Sequence, residues 1–201
     1  MSRIAIDAVL LPSDEVAARA IEANKELVKQ SPGKIVLDKK DCLPHVSLAM
    51  GCINEGDIAE IEGILRKTVR KHNPGLLTIA GIHVGATSVG GQISLLELKR
   101  TESLQLLHEE VMRSLSPYLS YDVTAEMLLS APPVAESTLL WIRDYPEKSS
   151  FERFFPHITL GYGQLENFSF PARFAASGLA LCHLGNHCTC RRILASAEFP
   201  C

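Results

Sequence analysis

The pentapeptide Pro-His-x-Ser/Thr-Leu occurs twice in this chain of 201 residues, as Pro44-His45-Val46-Ser47-Leu48 and as Pro156-His157-Ile158-Thr159-Leu160. From average residue usage, one copy is expected by chance in roughly one chain in several hundred, and a pair in roughly one in 10⁵. The repeat is therefore read as architecture. If both copies are strands, side chains alternate between faces. His45 and Ser47 then project to one side and Val46 and Leu48 to the other, and His157 and Thr159 part from Ile158 and Leu160 in the same way. Two such strands related by a pseudo-twofold would face each other across a cleft, lined by two imidazoles and two hydroxyls.

The rest of the chain supplies helices and further strands. Ile4 to Leu11 is an apolar run that ends at Pro12 and reads as a strand; Ser13 then caps a helix that runs towards Ser31-Pro32-Gly33. Lys34 to Lys40 and His45 to Ile53 read as extended, and Asn54 as the cap of a second helix with Ile58, Ile61, Leu65 and Val69 at helical spacing. Leu76 to Val84 and Gly91 to Leu98 form a predicted hairpin around Gly85 to Gly91, and a third helix starts at Thr101 and stops before Pro117. Tyr121 to Pro133 gives no clear pattern. Ser137 to Tyr145 reads as a strand, Ser149 to Phe155 as a short helical turn or loop, and His157 to Tyr162 as a strand. Ala175 to Leu184 and Cys188 to Phe199 read as a hairpin joined by a two-residue Gly185-Asn186 turn. Helices mixed with mostly antiparallel pairs define an α+β chain, taken as one domain over residues 1–201.

Paired imidazoles suit phosphodiester chemistry. One can take a proton from the attacking oxygen while the other gives one to the leaving oxygen, because imidazole titrates near neutrality. The hydroxyls of Ser47 and Thr159 can donate to the non-bridging phosphate oxygens. This chemistry needs no metal and no cofactor. A lone His-x-Thr is more often a hydrogen-bonded histidine on a half-buried strand; duplication is what favours the catalytic reading. The 20 Lys+Arg against 23 Asp+Glu leave a net charge of −3, so there is no basic surface for long duplex nucleic acid and any such partner is short and held locally.

With these two motifs the chain resembles the two-histidine phosphoesterase superfamily, which includes 2'-5' RNA ligase-like proteins and cyclic nucleotide phosphodiesterases. The segment Phe155-Pro-His-Ile-Thr-Leu-Gly-Tyr162 is the closer match, and the first motif carries Ser47 where Thr is more usual. The long interval between motifs implies an added connection within 124–147. The resemblance implies a two-lobed fold, helices outside and a cleft between. It also implies hydrolysis of 2',3'-cyclic phosphates, or cleavage or joining of 2'-5' linkages, in short RNA or nucleotides. His45 and His157 would be acid and base, and Ser47 and Thr159 the phosphate clamp; the assignment adopted is His157 as base and His45 as acid. The alternative is a non-catalytic nucleotide-binding module that uses the same cleft.

Tyr162, Phe155 and Trp141 are candidates for stacking on a base, and Arg153, Lys39 and Lys40 read as solvated charges. Cys182-His-Leu-Gly-Asn-His-Cys-Thr-Cys190 lacks a standard zinc spacing. A Gly185-Asn186 turn would set Cys182 and His187 on the face opposite His183, Cys188 and Cys190. His72, His83 and His108 have no motif partners and read as structural. Asp7 interrupts the first apolar run too early for a secretion signal, and no run of 18 apolar residues occurs. A soluble, cytoplasmic monomer with reduced cysteines and no disulfide is expected.

Overall fold

The computed structural model describes residues 2–31, 35–87 and 90–200. Its strands form two four-stranded sheets, each antiparallel throughout. The first has the order β2-β1-β7-β8, built from β1 (Arg3–Leu11), β2 (Val46–Asn54), β7 (Gly178–Leu184) and β8 (Cys190–Glu198). The second has the order β5-β4-β3-β6, built from β3 (Leu76–Ala86), β4 (Gln92–Leu98), β5 (His157–Tyr162) and the short β6 (Arg173–Ala175). In each sheet the motif strand is an edge strand.

The helices cross between the lobes. Helix α1 (Asp14–Gln30) follows β1 yet packs on β5 of the other sheet, and α3 (Glu102–Leu115) follows β4 yet packs on β2. Helix α2 (Ile58–Lys71) covers β7 and β8. The capping expectation holds for α1, where Ser13 Oγ accepts from Val16 N–H at 3.4 Å; α3 starts as expected after Thr101, whose Oγ1 accepts from Leu104 N–H at 3.3 Å. One continuous apolar core joins both lobes, from Ile6 and Leu10 in β1 to Leu96 in β4 and Ile158 in β5. This is the expected two-lobed α+β arrangement, with helices packed on the sheets. Among the described residues no helix is long and apolar enough to cross a membrane.

Several local expectations are corrected. Residues 137–145 are helical, within α4 (Glu136–Lys148), which lies against β2. The buried residues Thr138, Ile142 and Tyr145 are four and three apart, the spacing of one helix face, while Leu140 and Trp141 are left exposed. A compact apolar run is ambiguous between strand and helix, and here the helical period won. Asn54 does not cap α2 with its side chain. It donates to Asp57 Oδ2 at 3.1 Å, and a turn of 3-10 helix (Glu55–Asp57) precedes α2. Residues 35–40 form no strand, because Asp38 Oδ1 gathers the N–H groups of Lys40, Asp41 and Cys42 into a turn; Lys34 lies outside the described residues.

The C-terminal hairpin is connected by Gly185–Thr189 rather than by two residues, with His187 and Cys188 at positive φ. This longer connection sets Leu184 opposite Cys190, so Cys182, two residues from Leu184, shares a face with Cys190, and the two form a disulfide with Cα atoms 5.5 Å apart. The expectation of no disulfide, and of these two cysteines on opposite faces, is thus overturned by a register change that the two-residue turn did not allow. The Gly-rich turn joins β3 to β4 as expected, with Ser88 and Val89 outside the described residues, as Cys201 is.

Candidate active site

Each motif strand carries a bulge at the same motif position. In the first sheet Val9 pairs with Ser47 and Ala8 with Ala49, so Leu48 is the extra residue of β2. In the second, Glu97 pairs with His157, Leu95 with Thr159 and Ser94 with Gly161, which makes Leu160 the extra residue of β5. Ile93 then pairs with Tyr162. Since residues 93, 95 and 97 alternate by two, His157, Thr159 and Tyr162 share one face. In an unbulged strand Tyr162, three positions beyond Thr159, would point away from it.

A bulge leaves a backbone carbonyl without its ladder partner, and a buried carbonyl must find another. Asn24 of α1 supplies it: Nδ2 donates to Leu160 O at 2.8 Å and to Ile35 O at 3.0 Å, while Oδ1 accepts Leu37 N–H at 2.8 Å. His108 of α3 stands at the equivalent place in the other lobe, turned towards the backbone of Leu48. Its Nε2 accepts Phe151 N–H at 2.8 Å, and its ring stacks on Phe154 with centroids 4.0 Å apart. The crossing helices therefore hold the motif strands.

The two motif histidines are oriented alike. His45 Nδ1 lies 2.7 Å from Leu43 O and His157 Nδ1 lies 2.8 Å from Phe155 O, in each case the carbonyl two residues back across the proline. A carbonyl only accepts, so Nδ1 carries the proton and Nε2 is left for chemistry. Burial pushes the His45 imidazole down to about 4, and the charge of His157 adds to that; His157 is likewise lowered, chiefly by burial and also by His83. The two rings are close enough to feel each other, on strands that are themselves in contact.

The hydroxyls differ. The Thr159 hydroxyl makes no hydrogen bond among the described residues, whereas Ser47 Oγ is 2.6 Å from Asp7 Oδ2. Asp7 also lies 3.8 Å from His45 Nε2 and is fully buried. The sequence reading missed it as a site residue, although an acid inside an otherwise aliphatic strand was the available signal. His83, read as structural, borders the site too. It sits across from Leu95, which pairs with Thr159, and its ring meets Phe155 edge-on at 5.9 Å.

Among the aromatic candidates, Phe155 is exposed and lies 5.4 Å from the His157 ring. The Tyr162 hydroxyl is 3.2 Å from His187 Nδ1. Trp141 stands on the exposed face of α4 and makes no ring contact among the described residues, so the structure does not join it to the histidines. Arg153 donates to Glu147 O at 2.6 Å, and Lys39 and Lys40 are exposed in the turn around Asp38. In the C-terminal hairpin Cys182 and Cys190 are spent on each other; among the described residues no group of three or more His, Cys, Asp or Glu side chains is placed to hold a metal.

No family model matches the sequence, and comparison with curated proteins finds no match. Solved structures do match over the whole chain. TT0787 of Thermus thermophilus aligns at 17% identity and a TM-score of 0.61, covering 98% of both chains. E. coli LigT complexed with ATP aligns at 13% identity and 0.59, and a phosphoesterase at 14% and 0.59, each over 100% of both chains. The chain thus has the fold of LigT and of that phosphoesterase, the fold which its sequence motifs imply.

Proposed function

We propose that this chain is a phosphoesterase of short RNA or nucleotides, opening 2',3'-cyclic phosphates or cleaving and joining 2'-5' phosphodiester bonds without a metal. The observation that carries this reading is the paired orientation of His45 and His157. Each imidazole has its Nδ1 proton bound to a carbonyl two residues back, its Nε2 left for chemistry, and a hydroxyl residue two positions on. The shared fold of LigT and a phosphoesterase is consistent with it.

In hydrolysis of a cyclic phosphate, His157 Nε2 takes a proton from water as the water oxygen attacks phosphorus. The P–O3' bond breaks, and O3' receives the proton of His45 Nε2, leaving a 2'-phosphate. Burial holds both imidazoles neutral, so His45 must gain its proton with the substrate. The negative phosphate supplies the cause, because an opposite charge within a few ångströms favours the imidazolium. Ser47 and Thr159 donate to the non-bridging oxygens. Phe155 and Tyr162 are the aromatic candidates beside the second motif for stacking a base.

A panel of 2',3'-cyclic nucleotides, cyclic-phosphate oligonucleotides and 2'-5' oligonucleotides tests the reading, with the position of the product phosphate recorded. His45→Ala and His157→Ala are expected to lower kcat by about 10²–10⁴-fold each while the thermal transition stays. Full activity in either variant overturns the assignment. LigT is found complexed with ATP and with NADP+, which keeps a purely nucleotide-binding role as the second reading; tight binding of the whole panel without turnover would favour it.

A further inference from the structure

Asp7 lies in the middle of β1, fully buried within a run that is otherwise aliphatic from Ile4 to Leu11. Its Oδ2 contacts Ser47 Oγ at 2.6 Å and stands 3.8 Å from His45 Nε2, while Oδ1 has no hydrogen-bond partner among the described residues. The other groups that act on it are the Cys188 thiol, from the connection between β7 and β8, and the Tyr145 phenol of α4, itself beside Tyr121. In the free protein none of these is a cation at neutral pH, since burial keeps His45 uncharged until a phosphate binds and takes the imidazolium as its own counter-ion. An ionised Asp7 would be a buried charge with no counter-ion and one oxygen unpaired, an arrangement that proteins avoid by taking the neutral form.

The protonation state decides what Ser47 can do. If Asp7 is ionised, the serine must donate to it, and only a lone pair is left for a bound phosphate, next to a fixed negative charge. If Asp7 is the acid, Oδ2 donates to Ser47 Oγ and the serine proton is free to turn to the phosphate. Thr159 needs no such help. Its γ-methyl restricts χ1, its cross-strand neighbour is Leu95, and its hydroxyl has no competing acceptor among the described residues. Serine lacks the methyl, so its hydroxyl must be aimed from outside.

We propose that Asp7 is a positioning residue for the first motif, donating from its carboxylic acid to Ser47 Oγ so that the serine proton is directed at the substrate phosphate. The inference rests on the phosphoesterase reading for its substrate. Burial holds the Asp7 carboxyl well above the ordinary carboxylate range, in keeping with the geometry. Ionisation of Asp7 as pH rises then reverses the hydrogen bond and sets a negative charge beside the phosphate, so the site favours a singly charged ester over a dianion.

The test compares wild type, Asp7→Asn, Asp7→Ala, Ser47→Ala and the double variant carrying both alanines. Two readouts are used: kcat/KM on a 2',3'-cyclic nucleotide against pH, and the Kd of inorganic phosphate by calorimetry. The Asn amide still donates to Ser47, so Asp7→Asn should keep activity and phosphate affinity within about threefold and lose the wild type's decline with rising pH. Asp7→Ala should raise KM and phosphate Kd about tenfold, one hydrogen bond's worth, with little change in kcat, and should add nothing in the Ser47→Ala background. The proposal is overturned if folded Asp7→Asn is as impaired as Asp7→Ala, if Asp7→Ala equals wild type, or if wild type binds no phosphate. Should Asp7→Ala fail to fold, the decline with rising pH in Asp7→Asn against wild type decides. Phosphate binding that depends on Asp7, with no turnover of any ester, would sink the enzymatic reading and leave this one standing.

Discussion

The carbonyls of Leu43 and Phe155 each receive the Nδ1 proton of the histidine two residues on, and this local contact fixes ring and tautomer together. The sequence shows the residues that take part, since Pro-His fixes the chain direction and the i, i+2 spacing sets imidazole and hydroxyl on one face. It does not show that the two hydroxyls are unequal. Thr159→Val, nearly isosteric, removes the hydroxyl that has no protein acceptor among the described residues; it is expected to lower kcat/KM by about 10²-fold in the nucleotide assay with the melting temperature unchanged. An effect below threefold would mean that Thr159 does not touch the phosphate. Asp7 was visible in the sequence only as an interruption of an apolar run. Its role depends on Ser47, forty positions away, and on surroundings that offer it no cation.

At the scale of the element, the paired bulges at Leu48 and Leu160 do the arranging. The bulge in β5 carries Tyr162 round to the face of His157 and Thr159, and Asn24 takes the carbonyl that it frees. No pattern in the sequence marks a bulge of this kind, because alternation reads the same on either side until the partner strand is known. Asn24→Ala would leave two carbonyls and one N–H buried without partners. It is expected to cost about 3 kcal/mol or more in urea unfolding, and a loss under about 1 kcal/mol would show that water or rearrangement replaces the amide. Gly161 sits at φ +142°, and a Cβ there would stand 2.7 Å from Asn24 Nδ2. Gly161→Ala should therefore destabilise the chain by about 1–3 kcal/mol, read in the same assay. Helix α4 is not legible in the sequence for a related reason: a compact run of large residues satisfies both periods, and only packing against β2 chose the helical face of Thr138, Ile142 and Tyr145.

Across the whole molecule, α1 and α3 each pack on the other lobe's motif strand, so the motif strands and the core are stabilised together. His45 and His108 are both lowered from 6.5 to about 4 by burial, and they bind protons in the unfolded chain that the native chain refuses. Their contribution is fully present above pH 6.5 and is lost as pH falls from there through 4. Asp7 acts oppositely, since its raised value favours the native state at low pH and withdraws stability as pH rises towards that value. A urea-unfolding series should show stability falling between pH 6.5 and 4, and His108→Gln, which keeps an acceptor for Phe151 N–H, should flatten that fall. An unchanged slope in the variant would remove His108 from this account. By itself the sequence determined the α+β class, the motif strands, the helices α1 to α3 and the four motif residues, because these rest on short-range period and composition. The tertiary structure alone decided the bulges, the crossing helices, the Cys182–Cys190 link and the pairing of Asp7 with Ser47. Each of these depends on which strand lies beside which, and local period carries no record of register or partner.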